Sequence, residues 1–263
     1  MTSELPSFVP GAFEYTQSPN PSFKFGQKVD ATTEGKKWRE GEKEGWKVVE
    51  TDKEDPKKLY ALMISAITPR PVAFVSTIST TGVENLGLFS WFNMVSAYPP
   101  IVSISVTTIP RVKDTALNIR ATKEFTVNII STPWIDNANS CAIDTPPDVT
   151  EWPLSGLTKE PSVHVKPPRV RESAFSMECE LFQDIDIKHP DTGESTQALI
   201  LGLVKTVHVR NDMLNERGIV DPGKFQAVAR LGDILYSTLG TGYRLPRPAW
   251  SDEKETVTEL NKE

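Results

Sequence analysis

Cysteine and histidine are scarce in this chain, with two and three respectively in 263 residues. Cys141 and Cys179 are too few for a disulfide framework and too far apart for a CxxC redox pair, so a reduced, cytoplasmic compartment is expected. His164, His189 and His208 include no HxxxH spacing, which leaves a zinc-protease site without material. Long apolar runs are missing as well. None approaches the roughly 20 residues that span a bilayer, so no membrane association is expected. The N-terminal stretch, with Glu4 and several prolines, has neither the basic nor the apolar region of a secretory signal. Positive charge is in deficit: a net charge of −6 argues against general nucleic-acid binding, which needs a basic surface to neutralise phosphates. The chain has no Walker A loop, no GxGxxG following a strand, no GxSxG elbow and no internal repeat.

What is present divides into three stretches. Residues 1–54 are dominated by Ser, Pro, Lys and Glu with weak apolar periodicity, a composition that does not easily offset its own ordering entropy. They nonetheless carry Phe8, Phe13, Tyr15, Phe23, Phe25, Trp38 and Trp46. That suggests an extended arm laying its rings on the main domain; a flexible tail is the alternative. Residues 55–248 read as the domain itself, and residues 249–263 as a charged tail.

Within the domain, Leu59, Leu62, Met63 and Ala66 predict a short helix stopped by Pro69. Strands are expected over 72–78, 101–106, 124–130, 176–187 and 198–209, the last two joined as a hairpin through the turn residues 189–194. A helix over 114–121 and another from Asp221 through Phe225, Val228 and Leu231 complete the pattern. Six or so strands, few helices and short turns favour a mainly β, closed or nearly closed barrel over a doubly wound sheet.

Three segments can carry chemistry. In Thr68-Pro69-Arg70-Pro71 the prolines restrict the backbone, so the arginine can be held out as a planar fork for a phosphate or an aromatic plane. The plainer reading is a surface arginine at the start of an edge strand. In Arg111-Val112-Lys113-Asp114-Thr115, Asp114 can cap the helix that follows. Free N–H groups at its first turn, beside Arg111 and Lys113, suit a single phosphate; an ordinary capped surface helix is the alternative. In residues 85–93, Ser90 and Asn93 lie among Leu88, Phe89, Trp91 and Phe92, the usual make-up of a pocket for a heteroaromatic ring. Core packing explains any one of these rings equally well. The acidic pair Asp184 and Asp186 reads as the solvated face of a strand rather than as an acid–base pair.

Taken in order, ITPRPVAFVSTIST (67–80), NLGLFSWFNMVSAYPP (85–100), RVKDTALNI (111–119), EFTVNII (124–130), LILGLVKTVHV (199–209) and VARLGDILYSTLG (228–240) resemble the flavin-reductase-like, FMN-binding split-barrel family over residues 59–248. The resemblance implies a six-stranded Greek-key split barrel, a homodimer, and one FMN per subunit near the dimer interface. It places Thr68, Pro69, Arg70, Ser76 and Thr77 along the cofactor and Ser90 and Asn93 against its ring or ribityl chain. Lys113, Asp114 and Thr115 fall at its phosphate end, where the helix-start reading adds Arg111, with Arg230 and Tyr236 at late family positions. Asp233 departs from the pattern by replacing the second glycine of a late pair. The implied activity is that of an FMN-dependent oxidoreductase using NADH or NADPH, a flavin reductase or the flavin-supplying component of an oxygenase. A non-catalytic FMN electron carrier or store, and a cofactor-free scaffold whose arm binds a partner protein, are the alternatives. No side-chain catalyst and no metal are expected.

Overall fold

The structure, a computed structural model, describes residues 5–262. Its elements in chain order begin with β1 (Glu14–Thr16), α1 (Thr33–Glu40), α2 (Pro56–Ala66), β2 (Arg70–Pro71), β3 (Ala73–Ile78), β4 (Glu84–Phe89), β5 (Phe92–Ala97) and β6 (Pro100–Thr107). Then come α3 (Asp114–Thr122), β7 (Glu124–Ile129), α4 (Ile135–Ser140), α5 (Trp152–Ser155), β8 (Lys159–Glu160) and β9 (Arg169–Val170). The hairpin strands β10 (Phe175–Lys188) and β11 (Ser195–Val209) precede α6 (Pro222–Phe225), β12 (Val228–Arg230), β13 (Tyr236–Thr238), β14 (Thr241–Tyr243) and α7 (Trp250–Leu260). Contacts group them into two units. One is Ala61–Leu239; the other joins the N-terminal segment up to Tyr60 with the C-terminal segment from Gly240 onward.

The larger unit is built on an antiparallel sheet of order β4-β3-β7-β10-β11-β6-β5, with seven strands where six were expected. The additional pairing comes from residues 84–97, a region whose residues 85–93 the sequence marks as pocket lining rather than as strand. Glu84 to Phe89 returns on β3 through a turn in which Gly82 takes φ +88°, a conformation glycine adopts at no steric cost. Strand β3 opens on a continuous apolar run, Ala73 to Val75, because both of its faces are covered. Ala73 and Val75 point into one core with Ile104, Phe125, Val127 and Ile200; Phe74, flanked by Val72, points into a second with Leu86, Ile130 and Trp134. Phe74 and Trp134 meet edge-on with centroids 5.8 Å apart. Gly202 on β11 is required by packing, since a Cβ there would lie 2.3 Å from the Phe125 ring.

One expected helix is shorter than its spacing suggests. Asp221 caps α6 by accepting from the amides of Gly223 (2.9 Å) and Lys224 (3.1 Å), but Gln226 turns to φ +50° and ends it. Val228 to Arg230 is instead strand β12, pairing with β13 and, through Ala229 and Arg230, with Pro71 and Arg70. The apolar spacing at 225, 228 and 231 fits a helix, yet unpaired groups on β2 and β13 claim this backbone.

In the smaller unit, β1 pairs in parallel with β14, and Phe13 lies over Gly242. Thr32 caps α1 by accepting from the Gly35 amide at 3.0 Å, and Leu260 of α7 lies against Gly26. Of the rings expected to pack, Trp38 and Trp46 are 80% and 87% exposed.

Candidate flavin site

Helix α3 begins at Asp114, so Lys113 occupies the N-cap position and its side chain caps nothing. The cap expected from Asp114 is therefore absent. Its carboxylate instead accepts from Arg111 Nη1 at 3.1 and 3.3 Å. The amides of Asp114 and Thr115 stand ahead of the helical ladder, whose first bonds run from Ala116 and Leu117 to the Lys113 carbonyl. Two cations flank them. Arg111 is held firmly charged by its hydrogen bond to Asp114, against the opposing effect of burial. Lys113 Nζ donates to Asp144 Oδ1 at 2.8 Å, and Arg111 Nη2 reaches that same oxygen at 2.8 Å. The Lys113 bond, with Arg111 adding to it, holds the Asp144 carboxyl below its usual range. Donor amides at a positive helix end, a lysine and an arginine form a donor set that fits a phosphate.

Behind this corner lies a buried polar network. Thr115 Oγ1 donates to Asn85 Oδ1 (2.9 Å), and Asn118 Nδ2 donates to Thr77 Oγ1 (3.0 Å). Asn85 Nδ2 and the Leu86 amide both donate to Glu151 Oε2, at 3.0 and 2.9 Å, while Thr145 Oγ1 donates to the other oxygen. Glu151 is fully buried, and these donors replace the water it gives up. The side chains of Thr77 and Thr115 thus face inward and fasten α3 to β3 and β4. Ser76 is sealed in the core with no partner for its hydroxyl.

Arg70 is a clamp. Only 8% exposed, it donates from Nη1 to the carbonyls of Ile64 (2.5 Å) and Ile67 (2.6 Å) and from Nη2 to that of Leu231 (2.7 Å). Its Nε points to Ser90 Oγ at 3.4 Å. The planar fork inferred from its stiff frame exists, but it grips the end of α2 and the turn after β12 rather than reaching outward. In that turn Asp233 adopts φ +52°, the glycine-like backbone, and Arg230 Nη2 donates to its carbonyl at 2.7 Å. The Arg230 guanidinium stacks over Tyr236, 4.5 Å from the ring centre.

The structure therefore sorts the expected residues by access. Thr68, Pro69 and Asn93 are exposed, and Ser90, Arg111, Lys113 and Asp114 are half-buried. Ser76, Thr77, Thr115 and Arg70 have buried side chains. Asn93 lies on β5 and accepts from the Met94 amide at 2.9 Å. Sequence reasoning missed Asn85, Glu151 and Asp144. Asn85 opens the 85–93 segment that carries Ser90 and Asn93, whereas Asp144 and Glu151 lie among the prolines of residues 131–171, where no periodicity marks them.

No group of His, Cys, Asp and Glu among the described residues could hold a metal ion, and no helix among them is long and apolar enough to cross a membrane. Residues 65–229 match the model of the flavin reductase like domain. An uncharacterized protein of Aquifex aeolicus (strain VF5) is 35% identical over 69% of this chain and 90% of its own length. Nitrilotriacetate monooxygenase component B from Bacillus cereus superposes with a TM-score of 0.73 at 30% identity, covering 76% of this chain and 99% of that one. A split-barrel domain protein from Shewanella frigidimarina NCIMB 400 gives 0.63 at 21% identity, over 75% and 94%, and shares the fold. The chain belongs to the flavin reductase like domain family.

Proposed function

We propose that this protein binds FMN and works as an oxidoreductase drawing electrons from NADH or NADPH, as a flavin reductase or as the flavin-supplying partner of an oxygenase. The observation that carries the proposal is the start of α3, where two free amides, Arg111 and Lys113 converge in a chain of this family. Arg111 and Lys113 offset the charge of the phosphate, and Asp114 orients Arg111. Ser90, Asn93 and the exposed residues Thr68 and Pro69 line the ribityl chain and ring. Bound flavin supplies the redox chemistry, taking hydride from the nicotinamide and passing electrons onward. Hydride transfer asks no proton of a side chain. The histidines are occupied accordingly: His164 with Glu180, His208 with Glu178, and His189 in a hairpin turn.

The edge strand β5 exposes Met94 and Val95, and Tyr98 beyond it is 97% exposed. This apolar edge fits a second copy of the chain, and a homodimer is part of the proposal. Resemblance to an oxygenase component supports an oxygenase partner.

Purified protein should be yellow and release FMN on denaturation, and anaerobic NADH or NADPH should bleach it. A colourless protein that also fails to bind added FMN would overturn the proposal. Flavin that binds but is bleached by neither nucleotide would leave an electron carrier or store in place of an enzyme.

A further inference from the structure

The loop joining α4 to α5 places one carboxylate against the cations just assigned to phosphate. Asp144 is 60% exposed at its side chain, and its hydrogen bonds go to Arg111 and Lys113 alone, both through Oδ1. The loop is steadied at the next residue. The Thr145 carbonyl accepts from Arg111 Nη2 at 3.0 Å, and the Thr145 hydroxyl donates to the buried Glu151. Asp144 is therefore held at the start of α3 by its neighbour's anchors rather than by its own burial.

Charge decides what this does to a ligand. Arg111 and Lys113 bring two positive charges, and Asp114 and Asp144 bring two negative ones. A phosphate carrying about −1.5 to −2 at neutral pH meets a neutral cluster while Asp144 is in place. It meets a positive one when Asp144 withdraws. Exposed ion pairs of this kind are individually weak, so a phosphate with three acceptor oxygens can displace the carboxylate.

We propose that Asp144 is an internal counter-anion that competes with the phosphate of FMN for Arg111 and Lys113, so that the loop between α4 and α5 sets how tightly the flavin is held. The inference rests on the FMN reading above. It assigns the loop a part in flavin exchange: Asp144 takes back the two cations as the phosphate departs, which favours release.

The test measures FMN and riboflavin affinities by flavin fluorescence for the wild-type protein, Asp144→Asn and Asp144→Ser. A melting curve for each variant confirms folding. Riboflavin has the same ring and ribityl chain without the phosphate. Both variants should bind FMN roughly two- to tenfold more tightly, the range set by one or two exposed ion pairs, with riboflavin affinity unchanged. Unchanged or weaker FMN binding overturns the proposal. Equal tightening toward both flavins also overturns it, because the loop would then govern access to the ring instead. Wild-type protein that binds neither flavin refutes the FMN reading itself, a result distinct from either of these.

Discussion

Arg70 and Ser76 show how far a side chain's role depends on what surrounds it. Both lie in the stretch that the family resemblance sets along the cofactor, and both side chains are enclosed. Removing the Arg70 guanidinium strands three carbonyls of α2, its following residues and the turn at Leu231. Arg70→Ala should cost about 2–4 kcal/mol in urea denaturation, from several lost charge-assisted bonds. Ser76→Ala removes a buried hydroxyl that has no partner and should be neutral or stabilising by up to about 1 kcal/mol, with flavin affinity unchanged. A weaker flavin complex in Ser76→Ala would mean that its hydroxyl touches the cofactor. Asp233 holds a left-handed backbone that costs most residues energy, so Asp233→Gly should raise stability by about 0.5–1 kcal/mol. A loss of stability there would show that the Asp side chain compensates for its backbone.

Single elements depend on partners remote in sequence. Glu178 on β10 is fully buried, yet its carboxylate accepts from the amides of Val163 (2.9 Å), His164 (2.6 Å) and Val165 (3.0 Å) and from His208 Nε2 (2.6 Å). Burial by itself would raise its pKa; these donors outweigh it and hold the group below the ordinary 4.5. The carboxylate therefore stabilises the fold in full above about pH 4.5, and that contribution drains away as pH falls toward the lower folded value. Glu178→Gln places an amide donor against backbone donors and should cost about 2–3 kcal/mol at pH 7. It should also flatten the acid limb of the stability profile, and an unchanged limb in urea melts from pH 7 to 3 would refute this assignment. The helix–strand difference at 225–231 belongs to the same scale. Its apolar spacing was legible as a helix, but pairing with Arg70 and Pro71 lies about 160 residues away along the chain, beyond any local window.

Across the whole molecule the two units differ in what holds them. The larger has two apolar cores around β3, β7 and β10, whereas residues 41–55 carry exposed side chains almost throughout, Trp46 and Val48 among them. Hydrogen exchange should accordingly be slowest at β7 and β10 and fastest across 41–55, where trypsin should also cut first. Protection of 41–55 equal to that of β7 would contradict this ordering. By itself the sequence determined the strands with alternating or mainly apolar runs, the turn residues and the motifs that carry the family resemblance. Each of these depends on residue type at short spacing. Tertiary structure alone decided which polar residues remain open to a ligand. Thr77 and Thr115 turned inward to pair with Asn118 and Asn85, and Arg70 was drawn to three carbonyls left unpaired. Asp144 reached the α3 cations through a loop with no periodic signal. A buried donor or acceptor must be satisfied by whatever group the fold brings to it, and no local pattern in the sequence records which group that will be.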